Sequence, residues 1–309
     1  MDQNTGPNLI LVKTALDKLF DEATIEQAVT GKALATDSVV FTQDSADNAA
    51  VVSTVMGGGG YFDKTLNDVG LKKNVTASAA TPKTTLIAQF KKDLPIARTF
   101  MADQQLSAVS KAVKQQSLTW TASQQRNAFG VYALGFTTQL TIDGVALFSN
   151  SHVNQNGDTV DNLETGALND ANLNIVINSL RTQLSQTGVV LGYEPKFLLT
   201  PSITHQTGMT VAKSVLRAGT GNNDLNYFSE MYPGMKVVYS PFLDATSTTA
   251  YFVGSSTHGV MRFEREAFFT KLTPWDADIN DQYRYKMRAR EEVDSIEYSG
   301  LVGSNGTTA

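Results

Sequence analysis

Three histidines, His152, His205 and His258, are the chain's natural proton carriers, but about fifty residues separate each from the next. That spacing gives no HxxxH or HExxH pair with which to hold a metal ion from one helix face. Ser149, Ser151, His152 and Asp158 include the residue types of a nucleophilic triad, yet no Gly-x-Ser-x-Gly elbow accompanies any serine, so a hydrolase is the weaker expectation. The run Gly57, Gly58, Gly59 and Gly60 is followed by Tyr61 and Phe62, where a phosphate-cradling loop needs Gly-Lys-Ser/Thr; it reads as a flexible loop. Asp276, Asp278, Asn280 and Asp281 begin like a calcium loop, but Asp281 stands where the turn requires glycine and Met287 where a bidentate glutamate is needed. The sequence therefore assigns no catalytic residue, cofactor or metal site.

The remaining constellation is a stripe of charge. In Gln282 to Glu291, Tyr283, Tyr285, Met287 and Ala289 alternate with Arg284, Lys286, Arg288 and Arg290. Period-two alternation predicts a strand with one packed face and one basic face. Like charges about 7 Å apart along a strand repel. The stripe calls for acids opposite it or for another subunit, and inter-subunit contact is the expectation for these four residues.

The elements that must position this stripe follow from the rest of the chain, whose 309 residues are 41% hydrophobic and 18% charged, enough for a substantial core. Lys+Arg number 25 against 30 Asp+Glu, a net charge of -5, which argues against a protein that grips nucleic acid through an overall basic surface. With no cysteine, disulfides, thiol nucleophiles and Cys-ligated metals are excluded. The apolar run Leu9 to Val12 is too short for the core of an export signal, and no stretch of about 18 apolar residues occurs. The expectation is a soluble chain made in a cytosol, with no membrane partner.

Helical spacing of Leu9, Leu16, Leu19 and Phe20 predicts a short amphipathic helix within residues 8–30. Residues 31–80 are rich in Gly, Ser, Thr, Ala and Asn and suit arms and hairpins. A strand over 83–90 is expected to stop at Asp93-Leu94-Pro95. Leu106, Val109, Val113 and Trp120 predict one long half-exposed helix from Met101 to about Phe129, uninterrupted until Gly130. A second helix is capped by Asn169 or Asp170, carries Leu173, Val176, Ile177, Leu180 and Leu184, and is expected to end at Gly188. Pro195 to Pro201 reads as a buried strand with Thr200 capping a following helix, and the last third reads as strands.

The segments KTTLIAQFKKDLPIARTFMADQQLSAVSKAV, DGVALFSNSH, LNDANLNIVINSLRTQLSQTG with PKFLLTPSITHQTGM, and HGVMRFEREAFFTKLTPWDADINDQYRYKMRAREEVDSIEYSGLVG stand in this order. Taken together they resemble tailed-bacteriophage major capsid proteins of the Hong Kong 97 type, in their Mu-like form, over about residues 80–303. The resemblance implies an α+β fold with an N-terminal arm (residues 1–45) and an extended hairpin loop (46–88). It further implies a peripheral domain with a long spine helix and connecting loop (89–165), an axial α/β domain (166–254) and peripheral return strands with a tail (255–309). An arm and loop this poor in apolar residues are expected to gain order by lying across neighbouring copies.

Implied with the fold is a structural, non-enzymatic subunit that self-assembles into pentamers and hexamers of an icosahedral head. Its expected partners are further copies of itself, portal and scaffolding proteins, optionally a decoration protein, and packaged double-stranded DNA touched without sequence specificity. Its expected place is the virion capsid, assembled in the bacterial host cytoplasm. An encapsulin-like nanocompartment shares the fold and is the alternative.

Overall fold

A computed structural model describes residues 6–25, 32–57, 78–79, 82–103, 106–216, 224–274 and 281–307. Two sheets carry the architecture. In the four-stranded sheet the order is Thr42–Ser45, Val260–Thr273, Gln282–Ser295, Gln89–Ala97; the two long central strands are antiparallel, and Thr42–Ser45 joins the edge in parallel. The five-stranded sheet runs Lys236–Tyr239, Phe197–Thr200, Tyr251–Gly254, Leu301–Ser304, Leu163–Glu164. Its central strands are fully buried, as continuous runs such as Phe197-Leu198-Leu199 require when both faces are covered.

The helix Gly6–Ile25 lies against the long helix Leu106–Ala133, and both cover one face of the four-stranded sheet. Leu16 and Phe20 are buried there with Val109, Val113, Tyr285 and Met287. The front of the chain therefore buries part of itself at home, which composition alone did not foretell. Ser117 explains the close approach of the two helices: its hydroxyl donates to the Phe20 carbonyl at 2.8 Å. The long helix buries Val109, Val113, Ser117, Thr121 and Gln125 at four-residue steps, so its central inward stripe is polar.

Several boundaries differ from expectation, each for a local reason. The strand Gln89–Ala97 continues through Pro95, opposite Arg284, because it is an edge strand whose outer side owes no N–H to a ladder. The expected single helix from Met101 is a short turn, Arg98–Ala102, and then Leu106–Ala133. The latter passes through Gly130, since one interior glycine costs a helix only about 1 kcal/mol. Asn169 caps the helix Asp170–Thr182 by accepting the Asn172 N–H at 2.8 Å. That helix stops at Thr182, short of Leu184, and Gly188 instead sits in a following turn at φ 71°. Thr200 ends its strand rather than capping a helix; the next helix is His205–Lys213, after a turn in which Ser202 is held by Asp244.

An aromatic core joins the C-terminal end of the long helix to the five-stranded sheet. Phe129 and Tyr132 meet Phe41, Phe148 and Phe252, with Phe148 and Phe252 ring centroids 5.0 Å apart. The Tyr132 hydroxyl donates to the Val40 carbonyl at 2.8 Å, so the buried phenol is satisfied.

Candidate inter-subunit surface

The predicted alternation is present in the strand Gln282–Ser295: Tyr283, Tyr285, Met287 and Ala289 are buried against the helices, and Lys286 is exposed between half-buried Arg284, Arg288 and Arg290. Both neighbouring strands add to the basic face. Lys91 stands opposite Arg288, and Lys271 opposite Lys286. The acids on this face are Asp93, opposite Lys286, and Glu266, opposite Arg290. Arg288 Nε lies 3.1 Å from the Glu266 carboxylate, so one member of the stripe has a partner at home. The Nε of Arg290 is buried without a hydrogen-bond partner among the described residues. Among the described residues, Lys91, Lys271, Lys286, Arg288 and Arg290 share this face with two carboxylates, which leaves it net positive on a protein that is negative overall.

Beyond Arg290 the same strand changes character, and Glu291, Glu292 and Asp294 form a structural hub that sequence reasoning missed. Glu291 is buried, paired with the nearly buried Arg262, and accepts Gln124 Nε2 of the long helix at 3.1 Å. Asn127, one turn further along that helix, donates to Glu292 at 3.0 Å. Burial pushes the Glu292 carboxyl above its ordinary value, against the lowering effect of the Asn127 bond. Asp294 accepts from Lys83 at 2.6 Å, Thr85 at 2.5 Å and Gln139 at 2.6 Å. Lys83 also donates to the carbonyls of Leu140 and Ser295, at 2.7 and 2.6 Å. These bonds fix the strand Lys83–Leu86 to the sheet and to the segment that follows the long helix. The available signal was the acid run Glu291-Glu292 interrupting an otherwise apolar inward phase.

The histidines are occupied structurally. His152 Nδ1 is 2.7 Å from Asp143, its Nε2 is 3.2 Å from the Leu147 carbonyl, and its ring stacks on Tyr298 at 4.4 Å. Ser149 and Ser151 bond to one another at 2.9 Å, so both ring nitrogens of His152 are committed elsewhere and the serine–histidine arrangement is not assembled. His258 Nε2 faces the Val39 carbonyl at 3.1 Å while its Nδ1 accepts the Val260 N–H at 3.3 Å. That pattern fixes a neutral ring, and burial pushes its pKa down to about 4. Desolvation also lowers His205, whose ring lies against Tyr239.

Gly57 closes the short strand Met56–Gly57, paired with Ser78–Ala79; Gly58, Gly59 and Gly60 lie outside the described residues. So do Asp276, Asp278 and Asn280, whereas Asp281 lies 3.9 Å from Arg98. Among the described residues no group of His, Asp and Glu could hold a metal ion, and no helix is long and apolar enough to cross a membrane.

A sequence model of the family described as phage capsid protein matches residues 80–303, well over half of the chain. The chain belongs to the phage capsid protein family. It is a structural major capsid protein, and its mixed helix and sheet architecture is the shell fold of that family. The capsid chain is similar in fold to that of a procapsid of bacteriophage JBD30, at 14% identity and TM-score 0.51, covering 99% of this chain and 77% of that one. It is also similar to a chain from Mycobacterium phage Adephagia, at 13% identity and TM-score 0.51, covering 91% and 92%. A virus-like particle from Pyrococcus furiosus matches at 8% identity and TM-score 0.54, covering 94% and 98%. No curated protein matches the capsid chain.

Proposed function

We propose that this capsid protein assembles into the pentamers and hexamers of an icosahedral head that encloses double-stranded DNA. The observation that carries the proposal is the family match over residues 80–303, on a fold whose described residues leave a net positive sheet face partly exposed. The role is scaffolding of a container, and no reaction is assigned to it; the committed ring nitrogens of His152 support that reading.

Within the proposal, residues 1–45 act as the arm and 46–88 as the extended loop, while 89–165 and 255–309 make the peripheral domain and 166–254 the axial domain. Support comes from the division of the strands: the long pair Val260–Thr273 and Gln282–Ser295 belongs to one sheet, and Phe197–Thr200 with Lys236–Tyr239 to the other. Arg284, Lys286, Arg288 and Arg290 are inter-subunit contacts in this reading. Portal and scaffolding proteins, with a decoration protein as an option, complete the partners, and assembly takes place in the cytoplasm of a bacterial host. Net negative charge suits a lining that holds DNA without gripping it.

Electron microscopy of the expressed protein tests this. Closed particles of uniform diameter with fivefold and sixfold clusters are the expected result. Particles built around a copurifying protein cargo would favour the nanocompartment instead.

A further inference from the structure

The two edges of the four-stranded sheet carry opposite charge. At one edge, the strand Thr42–Ser45 and the turn after it expose Asp44 and Asp47. At the other, the strand Gln89–Ala97 exposes Lys91 and Lys92 beside Asp93, so this edge keeps a net positive charge. Asp44, Asp47, Lys91 and Lys92 have no ion-pair partner among the described residues. The edges are also offset along the sheet: Asp44 is in register with Phe263, which pairs with Glu292, while Lys91 is in register with Arg288. Four residues of strand separate the two levels, about 13 Å.

Apolar surface follows the same division. Beside the lysines, a cleft is lined by Phe90, Trp120, Phe268 and Met287. On the strand that follows Asp47, Val52 is 62% exposed, and Leu86, in register with Ala50 of that strand, is 72% exposed. Pro95 and the two lysines blunt the basic edge against simple strand addition, so a partner there must be met by side chains.

We infer that the acidic edge of one copy docks on the basic edge of the next, with Asp44 and Asp47 facing Lys91 and Lys92 and Leu86 entering the Trp120–Phe268 cleft. The partner is a second copy of this chain, chosen by complementary charge and complementary apolar surface. Because the two edges are different surfaces, the contact is heterologous, and repeating it with a closing rotation builds a ring. This inference rests on the self-assembly proposed above and names the surfaces that would carry it.

Charge exchange tests it. Three variants are compared with the unaltered chain: Lys91→Glu with Lys92→Glu, Asp44→Lys with Asp47→Lys, and all four together. Circular dichroism and the thermal midpoint check folding, and sedimentation reads assembly at near-physiological salt. Each paired variant is expected to fold as the unaltered chain does and to lower the assembled fraction by about tenfold. The fourfold variant should regain most of it, since each edge again meets one of opposite charge. Full assembly by either paired variant, or no recovery in the fourfold variant, would overturn the docking inference while leaving the shell proposal standing. Failure of the unaltered chain to assemble would instead remove the shell proposal, and the docking inference with it.

Discussion

Lys83 Nζ lies 2.6 Å from the Asp294 carboxylate, tying the strand Lys83–Leu86 to one of the two long central strands of the sheet. Each side chain is mostly buried, so removing one partner leaves the other desolvated and uncompensated. Lys83→Met is expected to destabilise the subunit by about 3 kcal/mol. Asp294→Asn should cost less, because the amide still accepts one bond. Urea unfolding of both single variants and the double variant measures the coupling; additive losses would show that the pair acts independently.

His258 predicts a pH dependence whose sign follows from its depressed value. The folded ring stays neutral down to about 4, whereas the unfolded ring takes up a proton near 6.5. Its contribution is therefore fully present above about 6.5 and is lost as pH falls toward 4, by up to about 3 kcal/mol. Glu292 and Glu297, both raised by burial, oppose this by gaining stability as they protonate. The relevant readout is thus the difference between the unaltered chain and His258→Gln. That difference should shrink steadily from pH 7 to pH 4.

Phe252 is 1% exposed and packs between Tyr132, Phe136 and Phe148, where the long helix meets the five-stranded sheet. Phe252→Ala should cost about 3–5 kcal/mol through lost burial and the cavity left behind. Thermal unfolding would read this as a large drop in midpoint. A loss under about 1 kcal/mol would mean that the junction collapses to fill the space.

Arg288→Glu reverses one charge of the basic face and places a carboxylate beside Glu266. The subunit should remain folded, since both positions are partly exposed and lie outside the aromatic core. Assembly should be impaired, and Glu266→Arg in the same chain should restore only the pair within the subunit. Normal shells from Arg288→Glu would remove the stripe from the contacts between copies.

What could be read directly from the sequence was local and one-sided. The tyrosines and arginines of Gln282 to Arg290 alternate because that strand packs on a single face, and period two then shows in the residues themselves. Asn169 was legible because a cap is decided by its neighbours three residues on. Pro95 misled because its fate depends on whether the strand is central or at an edge, a fact fixed by distant partners. The inward stripe of the long helix was half hidden, since Ser117, Thr121 and Gln125 replace apolar residues where another helix comes close. The Arg262–Glu291 and Lys83–Asp294 pairs join positions far apart in the chain, and nothing local announces them.

Sedimentation velocity of the purified chain over a rising concentration series bears most directly on the claim that this subunit completes itself with copies of itself. The expected result is a cooperative shift from free subunits to one large, uniform species, weakened by high salt as screened edge charges require. A single 33.4 kDa species persisting at the highest concentration in low salt would contradict it.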